Sequence, residues 1–469
     1  MNEAAVDEAV AAEPLWTGEE IARATGGVAS TDFRVTGVAF DSREVGPGDL
    51  FIALKGEATD GHAFLDKAFD AGAAGALVST PIDRPHVLVS DTGAALNALG
   101  KAARDRMSGK VIGVTGSVGK TSTKEALFLA LDRFRPGAVH RSVKSYNNHV
   151  GVPLSLARMP RDSRFGIFEM GMNHFGELAA LTRLVRPHVA IVTAIAPAHI
   201  EFFGTEEAIA HAKAEIFEGL EPGGIAIIPE DSPYRDLLWE KAAEQNARII
   251  TFGMGEGADV RAMEAVPAAG GGTLISARLP DAELCYTMAA PGDHNVSNSL
   301  AIVAAVEAVG ADLATAGLAL AELPGLPGRG ARSRVKAGQG EALLIDESYN
   351  ANPLSMAATL RQLGREKGAR RIAVLGAMKE LGDRSAELHE GLADPMQQAQ
   401  VDLAILVGAE MAPLAHRLEG RMALAHVPDA DAAIRMVKAR MQPDDVILVK
   451  GSNSVGLSRL VAALFGGDR

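Results

Sequence analysis

The chain is poor in the residue types that mark several classes of protein. It has one cysteine, Cys285, among 469 residues, which excludes an internal disulfide framework and a multi-cysteine metal cluster. The simplest interpretation of Cys285 is a small buried apolar residue. Aromatic residues make up only 4% of the chain, whereas 47% of it is hydrophobic and 50 residues are glycine. This composition is typical of a globular protein built from closely packed α/β layers.

A basic surface stripe and a long apolar segment are also missing. The formal net charge is -13 and the Lys and Arg residues are scattered, so the charge pattern of a nucleic-acid-binding protein is absent. No stretch approaches the roughly 18 uninterrupted apolar residues of a membrane span. The first residues, MNEAAVDEAVAAE, carry acids where a secretory signal needs a basic start. The sequence predicts a cytoplasmic protein with no membrane insertion and no nucleic-acid partner.

The length and the apolar pattern predict three domains of the α/β class. The 469 residues are too many for one hydrophobic core. Short apolar runs such as VIGVTG at 111–116 alternate with helical patterns, which indicates a mainly parallel central sheet. The alternation returns after residue 340, and LPGLPGRG at 323–330 has the prolines and glycines of an interdomain hinge. We expect domains at residues 1–90, 91–328 and 329–469, the first of them a small α/β domain.

The most specific motif is GVTGSVGKT at residues 113–121, between a predicted strand and a predicted helix. We interpret it as a P-loop of the type G-x-x-x-x-G-K-[ST], in which backbone N–H groups and a helix N-terminus surround phosphate. Lys120 then reaches the β and γ phosphates of a nucleotide, and the Thr121 hydroxyl binds Mg2+. The alternative is a glycine-rich turn without a ligand. The predicted nucleotide contacts are Gly116, Ser117, Val118, Gly119, Lys120, Thr121 and Ser122.

Two polar residues follow apolar runs at one predicted edge of the central sheet, where open α/β sheets bind ligands. Glu169 ends the run FGIFE, and a carboxylate among strand residues needs a cation or hydrogen bonds to compensate its charge. It is therefore a candidate metal ligand. His199 follows VTAIAPA and is either a second ligand or a loop histidine with its own hydrogen bonds.

Lys213 is a cation on a predicted apolar helix face. The helix is predicted to begin after Thr205, and Lys213 falls in the apolar series that runs from Ile209 to Leu220. One interpretation is a lysine whose ammonium reaches water past the edge of this face. The other is a desolvated amine with a lowered pKa, available for covalent modification.

Asparagines precede two predicted turns or helices. Asn147 and Asn148 stand before a Gly-Val-Pro segment, and Asn295 and Asn298 open a predicted helix. Helix capping and turn formation explain such residues without any ligand. The pattern alone therefore favours a structural role for them.

Taken in order along the chain, the motifs resemble those of the Mur ligases. The P-loop alone occurs in many ATPases, whereas TSTKE, SYNANP and MKELG together are much more specific. The resemblance implies an N-terminal domain for a UDP-sugar, a central ATP-binding domain and a C-terminal Rossmann-like domain that closes over the site. The segments that carry it are DSREVGPGDLFIALKGEATDGHAF, TGSVGKTSTKE, NNHVGVPLSLARMP, EMGMNHFGE, AHIEFFG, AKAEIFEGL, GDHNVSNSLA, LPGR, DESYNANP, LGAMKELG and ILVKGSNS.

The resemblance also implies an activity and partners. It is closest to the members that join D-alanyl-D-alanine to UDP-N-acetylmuramoyl-tripeptide with ATP, through an acyl phosphate, in peptidoglycan synthesis. ATP and two Mg2+ ions are the expected cofactors, and a monomer is the expected state. The sister ligases are alternatives, namely the third-residue enzyme and folylpolyglutamate synthetase, although the Asp-Asn-Pro-Arg segment typical of the third-residue enzyme is absent. A P-loop switch protein without ligase activity is an alternative of another class.

Carried over by position, the resemblance assigns roles to the candidate residues. Glu169 and His199 correspond to Mg2+ ligands, and Lys213 to an N-carboxylated lysine that holds a second Mg2+. Glu347 departs from the family, which commonly has a second aspartate there. The expected catalytic residues are Lys120, Lys213, His199 and Asn148, the last beside the peptide acceptor. The other assignments are Asn295 and Asn298 beside adenine, Arg329 and Asp346 near the phosphates and ribose, and Ser42, Arg43, Asp60, Gly61 and His62 around UDP.

Overall fold

The computed structural model describes residues 13–56, 59–197, 200–269, 271–323 and 325–465. Within these ranges the chain forms three main sheets flanked by helices, so the predicted α/β class with mainly parallel sheets is confirmed. His199, a predicted metal ligand, lies outside the described residues. None of the helices in the described ranges is long and apolar enough to cross a membrane.

The N-terminal part is a small α/β layer. Its elements are β1 (Trp16–Thr17), α1 (Gly18–Thr25), β2 (Val28–Ala29), β3 (Arg34–Val35), β4 (Gly37–Ala39), β5 (Asp49–Ile52), α2 (Leu65–Asp70), β6 (Gly75–Val78), β7 (His86–Leu88) and α3 (Thr92–Arg106). Strands β4 to β7 run parallel, and β2 pairs with β7 in the antiparallel direction. Helix α3 buries Leu96 and Leu99 in the same core as Leu50, and Leu154 of the next part joins that core. The two parts therefore share a packed boundary.

The central part contains the largest sheet of the described chain. Its elements are β8 (Lys110–Thr115), α4 (Lys120–Phe134), β9 (Val139–Arg141), α5 (Gly151–Ala157), β10 (Phe165–Glu169), α6 (Glu177–Val185), β11 (Val189–Val192), α7 (Ile200–Phe203), α8 (Glu206–Ala214), β12 (Ile225–Pro229), α9 (Arg235–Glu244), β13 (Arg248–Gly253), β14 (Val260–Pro267), β15 (Thr273–Arg278), β16 (Glu283–Met288), α10 (Asp293–Ala308) and α11 (Leu313–Glu322). Among the described strands the order is β16-β15-β14-β13-β12-β11-β8-β10-β9.

Strand order in this sheet determines where a ligand can bind. β8 lies between β10 and β11, and both neighbours run parallel to it, so three carboxyl ends meet at one edge. In register, Glu169 is opposite Val114 and Val192 is opposite Thr115. The apolar run of β8 is buried because helices cover both faces of a parallel sheet. The residues that follow these three strands therefore share one edge.

The C-terminal part is a second, mainly parallel sheet with helices. Its elements are β17 (Ala331–Ala337), β18 (Gly340–Glu347), α12 (Pro353–Arg365), β19 (Arg370–Gly376), α13 (Ser385–Glu390), α14 (Ala393–Gln398), β20 (Leu403–Val407), α15 (Ala412–Leu418), β21 (Ala423–Val427), α16 (Ala430–Arg440), β22 (Asp445–Lys450) and α17 (Ser458–Phe465). The described strands follow the order β17-β18-β22-β19-β20-β21, and only β17 is antiparallel to its neighbour.

Two expectations from the sequence are corrected. Cys285 lies on the edge strand β16 and is exposed, so its interpretation as a buried residue was wrong. The helix that carries Lys213 ends at Ala214, and a 3₁₀ helix, Glu215–Gly219, continues the apolar face in its place. The domain boundaries at 90/91 and 328/329 stay predictions.

Candidate active site

A cavity of about 420 Å3 lies between the central and C-terminal parts. One wall is the loop between β8 and α4 with the ends of β10 and β11, and the other is formed by the end of β18, helix α12 and the end of β22. Most of the predicted nucleotide-binding residues line it. They are Ser117, Val118, Gly119, Lys120, Thr121, Ser122, Asn295, Asn298 and Arg329, whereas Gly116 and Asp346 are not part of the lining.

The loop 116–119 has the backbone geometry of a phosphate-binding loop but not the full sequence pattern. The pattern G-x-x-x-x-G-K-[ST] requires glycine at position 114, which is Val114, while Gly113 lies inside β8. The prediction that residues 113–121 follow this pattern was therefore wrong, because the first glycine stands one residue too early. Gly116 and Gly119 shape the loop, with φ of 147° and 89°, in the region that favours glycine. Gly119 is also the residue that precedes α4, so the helix N-terminus faces the cavity.

The segment that follows strand β11 holds the loop in place. Thr193 Oγ1 donates a hydrogen bond to the Val118 carbonyl over 2.6 Å. Ser117 Oγ donates to the Ala196 carbonyl and accepts from the Ala196 N–H, both over 3.0 Å. A β-carbon at Gly116 would overlap the Thr193 hydroxyl, so only glycine fits there. These contacts preorganise the loop and explain why Thr193, which the motif search did not single out, lines the cavity.

Lys120 lines the cavity and folds back over the loop. Its Nζ donates a hydrogen bond to the Gly116 carbonyl over 2.6 Å. Burial lowers the pKa of Lys120, the Glu169 carboxylate opposes this shift, and Arg329 across the cavity adds to it. Two cations thus face one space from opposite walls, and their repulsion is relieved when an anion binds between them.

Glu169 is buried and has polar partners that suit a metal-ligand carboxylate. Its Oε2 accepts a hydrogen bond from Thr121 Oγ1 over 2.8 Å, and its Oε1 accepts from Asn147 Nδ2 over 2.9 Å. The backbone N–H of Glu169 donates to Ser142 Oγ over 3.1 Å. Carboxylate and hydroxyl oxygens are the ligand type that Mg2+ prefers, so the pair of Thr121 and Glu169 fits that ion. Within the described ranges, no group of three or more His, Cys, Asp or Glu side chains has metal-binding proximity.

Of the two adjacent asparagines, the structure brings the unpredicted one to the site. Asn147 lines the cavity and contacts Glu169. Asn148 is exposed, and its Oδ1 accepts hydrogen bonds from the N–H groups of Val150 and Gly151, so it stabilises the turn that leads into α5. The expected role of Asn148 beside the peptide acceptor stays a prediction. Sequence spacing could not separate these neighbours, because the direction of each side chain depends on the turn that follows.

Lys213 is buried, which removes the interpretation that its ammonium reaches water. Its side chain is only 1% exposed. Burial, together with the charge of Lys120, lowers the pKa of Lys213 well below its ordinary value. Within the described residues no carboxylate forms an ion pair with it. The amine is thus largely desolvated and close enough to Lys120 for the two charges to interact.

The wall formed by α10 contributes two of the predicted asparagines. The Asn298 amide packs against Gly119, because a β-carbon there would lie 2.7 Å from Asn298 Nδ2. Asn295 Nδ2 donates to the Pro291 carbonyl over 2.8 Å. Both residues line the cavity. The proposed adenine contacts stay predictions.

At the end of β18, adjacent acidic residues have different surroundings. Asp346 is buried beneath the hinge, where its carboxylate accepts from Gly328 N over 2.7 Å and from Ser348 Oγ over 2.6 Å. Glu347 lines the cavity, and its Oε2 accepts from Lys450 Nζ over 3.0 Å. The longer side chain at 347 therefore pairs with a buried lysine that sequence reasoning missed. The ribose contact expected of Asp346 stays a prediction.

The residues expected to surround UDP form two local hydrogen-bonded turns in the N-terminal part. The Arg43 guanidinium pairs with Asp41 over 2.6 Å and lowers the pKa of that carboxyl to about 2. Asp60 Oδ1 accepts from the His62 N–H over 2.9 Å, and His62 Nε2 accepts from the Ser79 N–H over 2.9 Å. Gly61 begins a short 3₁₀ helix, Gly61–Phe64, and Ser42 is buried.

The turn that carries Arg43 and Glu44 touches the central part. Glu44 accepts hydrogen bonds from Tyr146 Oη over 2.8 Å and from Lys144 Nζ. The structure therefore brings this turn beside the loop that carries Ser145 and Asn147. The UDP contacts themselves stay predictions.

The fold and the cavity together define a P-loop nucleotide-binding protein whose nucleotide site lies between two α/β domains. Sequence profiles agree with this class and identify the family within it. The Mur ligase family catalytic domain matches residues 34–106, the Mur ligase middle domain residues 114–306, and the Mur ligase glutamate ligase domain residues 331–453.

Individual relatives match over almost the whole length. A UDP-N-acetylmuramoyl-tripeptide–D-alanyl-D-alanine ligase from Synechocystis is 35% identical over 93% of this chain and 93% of its own. A crystal structure of MurF from Acinetobacter baumannii is 32% identical and superposes with a TM-score of 0.83, over 97% of this chain and 99% of that one. A MurF structure from Thermotoga maritima in complex with ADP is 28% identical, with a TM-score of 0.76 over 91% and 96% of the chains. The chain belongs to the Mur ligase family, in the group of the UDP-N-acetylmuramoyl-tripeptide–D-alanyl-D-alanine ligases.

Proposed function

We propose that the protein is an ATP-dependent ligase that joins D-alanyl-D-alanine to UDP-N-acetylmuramoyl-tripeptide and so forms the pentapeptide precursor of peptidoglycan. The observation that carries the proposal is the cavity between two domains with Lys120 on one wall and Arg329 on the other. This arrangement suits a nucleoside triphosphate, because both cations can neutralise phosphate charge. The activity named for the relatives supplies the substrates.

The reaction proceeds in two steps. The terminal carboxylate of the tripeptide attacks the γ phosphorus of ATP, which forms an acyl phosphate and releases ADP. The amine of D-alanyl-D-alanine then attacks the acyl carbon, phosphate leaves, and the amine loses its proton. Lys120, the N–H groups of the loop 116–119 and the N-terminus of α4 stabilise negative charge during phosphoryl transfer. Alignment of the reacting carboxylate, phosphate and amine supplies much of the remaining rate enhancement, so the protein needs no nucleophile of its own.

Thr121 and Glu169 would hold Mg2+ at the mouth of the loop. When bound, the ion supplies charge neutralisation and orientation for the phosphate oxygens. Asn147 and Ser142 fix the direction of the Glu169 carboxylate and backbone before any ion binds. His199 is proposed as a further ligand by its position in the family motif.

Lys213 is proposed to carry a carboxyl group on its amine. A neutral lysine amine reacts with CO2 to give a carbamate and one proton, and the buried, charge-repelled Lys213 has the lowered pKa that favours the neutral form. The resulting anion would offset the positive charge of Lys120 and help to hold a second Mg2+. We also propose that the protein is a monomer and acts in the cytoplasm.

The direct test is product formation. The protein is incubated with ATP, UDP-N-acetylmuramoyl-tripeptide and D-alanyl-D-alanine, and the products are analysed by mass spectrometry. We expect one ADP and one phosphate per pentapeptide formed, and no rapid ADP formation when the tripeptide is omitted. Lys120→Ala is the inactive control. It should fold but lose the activity, because it lacks the cation that stabilises negative charge during phosphoryl transfer. Fast phosphate release from ATP alone would favour a P-loop switch instead.

A further inference from the structure

One fully buried lysine has no place in the proposed reaction. Lys124 lies one turn after Lys120 on α4, and its side chain is 0% exposed. It does not line the cavity. A buried ammonium is stable only where acceptors and counter-charges surround it. Its contacts therefore indicate what the residue does.

The Lys124 ammonium holds the backbone of the 142–148 segment, which connects β9 to α5. Its Nζ donates a hydrogen bond to the Lys144 carbonyl over 2.9 Å. Lys144 has φ of 52°, in the left-handed region that residues with a side chain disfavour. Such a conformation persists only where its surroundings hold it. The bond from Lys124 is one such restraint.

The same ammonium lies close to two carboxylates. Glu125 Oε1 is 3.0 Å from Lys124 Nζ, and Glu169 Oε2 is 3.9 Å from it. The second carboxylate is the proposed Mg2+ ligand. Lys124 thus acts on Glu169 directly, through charge, and indirectly, through the segment that it holds.

The 142–148 segment carries the groups that orient Glu169. Ser142 Oγ accepts from the Glu169 N–H, and Asn147 Nδ2 donates to Glu169 Oε1 over 2.9 Å. Between these two residues lies the left-handed Lys144. A change in the backbone conformation of Lys144 would therefore shift both Ser142 and Asn147 relative to Glu169.

The segment also joins the three parts of the molecule. Tyr146 Oη donates to Glu44 of the N-terminal part over 2.8 Å. Ser145 Oγ accepts from Tyr349 Oη of the C-terminal part over 2.7 Å. The side chains of this one short segment thus contact the N-terminal part, the Glu169 carboxylate and Tyr349 of the C-terminal part.

We propose that Lys124 is a positioning residue for the reaction, which fixes the 142–148 segment and, through it, the orientation of the Glu169 carboxylate. The inference rests on the proposed function, because it takes Glu169 as a metal ligand. Lys124 itself contacts no substrate.

Lys124→Met tests this proposal, since it retains most of the side-chain volume and removes the charge and the donor. We expect a folded protein whose kcat falls by at least about tenfold, because the loss of a group that orients a metal ligand typically costs this much activity. The Mg2+ concentration for half-maximal activity should rise, while the KM for ATP changes by less than about threefold because the loop 116–119 is intact. Backbone amides of the 142–148 segment should exchange hydrogen faster.

Thr123→Val is the matched control. Thr123 is the adjacent buried polar residue, and its hydroxyl has no hydrogen-bond partner in the described chain. The control should leave kcat, the Mg2+ dependence and the exchange of the segment unchanged.

A double variant separates positioning from general stability. If Lys124 acts through the segment that holds Asn147, the kcat losses of Lys124→Met and Asn147→Ala should not add. Additive losses, or wild-type kcat and Mg2+ dependence in folded Lys124→Met, would overturn the proposal. If Lys124→Met does not fold, Lys124→Gln is judged by the same criteria. Ligation by the wild type, measured alongside, tests the proposed function separately, and the exchange measurement does not depend on it.

Discussion

At the scale of single residues, the buried charges of the site have partners that explain their positions, with one exception. Glu169 has hydrogen-bond donors from two directions, and Lys450 has the Glu347 carboxylate. Lys213 is buried without a carboxylate among the described residues. A buried unpaired ammonium is costly, so the carbamate offers a reason for this residue.

Replacement of Lys213 should therefore cost activity more than stability. Lys213→Ala removes an unfavourably buried amine and leaves a small void, so we expect the free energy of unfolding to change by no more than about 2 kcal/mol. The kcat should fall on the order of a hundredfold or more, because a charged group of the site is lost. Small carboxylic acids added to the variant should restore part of the turnover by occupying the vacated position. Wild-type turnover of Lys213→Ala in CO2-depleted buffer would contradict the carbamate.

At the scale of elements, strands and the burial of Lys213 were predictable from sequence, but side-chain direction in loops was not. The apolar run at 111–116 formed most of the buried strand β8, because both faces of a parallel sheet are covered. The i, i+4 spacing placed Lys213 on the buried face. The contacts of Asn147 and Lys124 with the site were not predicted, because their partners are distant in sequence. No local periodicity shows that Asn147 reaches Glu169 or that Lys124 reaches the Lys144 carbonyl.

The loop 116–119 gives a prediction about its own backbone. In Gly116→Ala the new β-carbon would overlap Thr193 Oγ1 and would also strain a φ of 147°. We expect ATP binding, measured by calorimetry, to weaken by at least about tenfold and stability to fall by about 1–3 kcal/mol. Gly137→Ala is the control, since Gly137 has φ of 75° but no atom within 4 Å of its ideal β-carbon position. It should cost about 1 kcal/mol and leave ATP binding intact. Equal effects of the two substitutions on ATP affinity would refute the assigned role of this loop.

At the scale of the whole molecule, the cavity depends on how the C-terminal part sits against the rest. Tyr349 Oη reaches Ser145 across the cavity, and the Arg329 guanidinium lies 4.2 Å from the Tyr349 ring centroid. Gly328 and Gly330, between the two parts, have φ of 73° and 91°. Backbone of this kind adopts conformations that residues with side chains avoid, which suits a hinge.

We therefore expect the C-terminal part to move about residues 323–330 when substrates bind. The phosphates attract Lys120 and Arg329 from opposite walls, and water must be excluded before the acyl phosphate forms, so the closed arrangement gains free energy only with ligand present. Small-angle scattering should show a smaller radius of gyration with ATP plus UDP-N-acetylmuramoyl-tripeptide than without them. Tyr349→Phe, which loses only the hydroxyl bonded to Ser145, should reduce the ligand-induced change. Identical scattering of the free and saturated wild-type protein would rule out closure about this hinge.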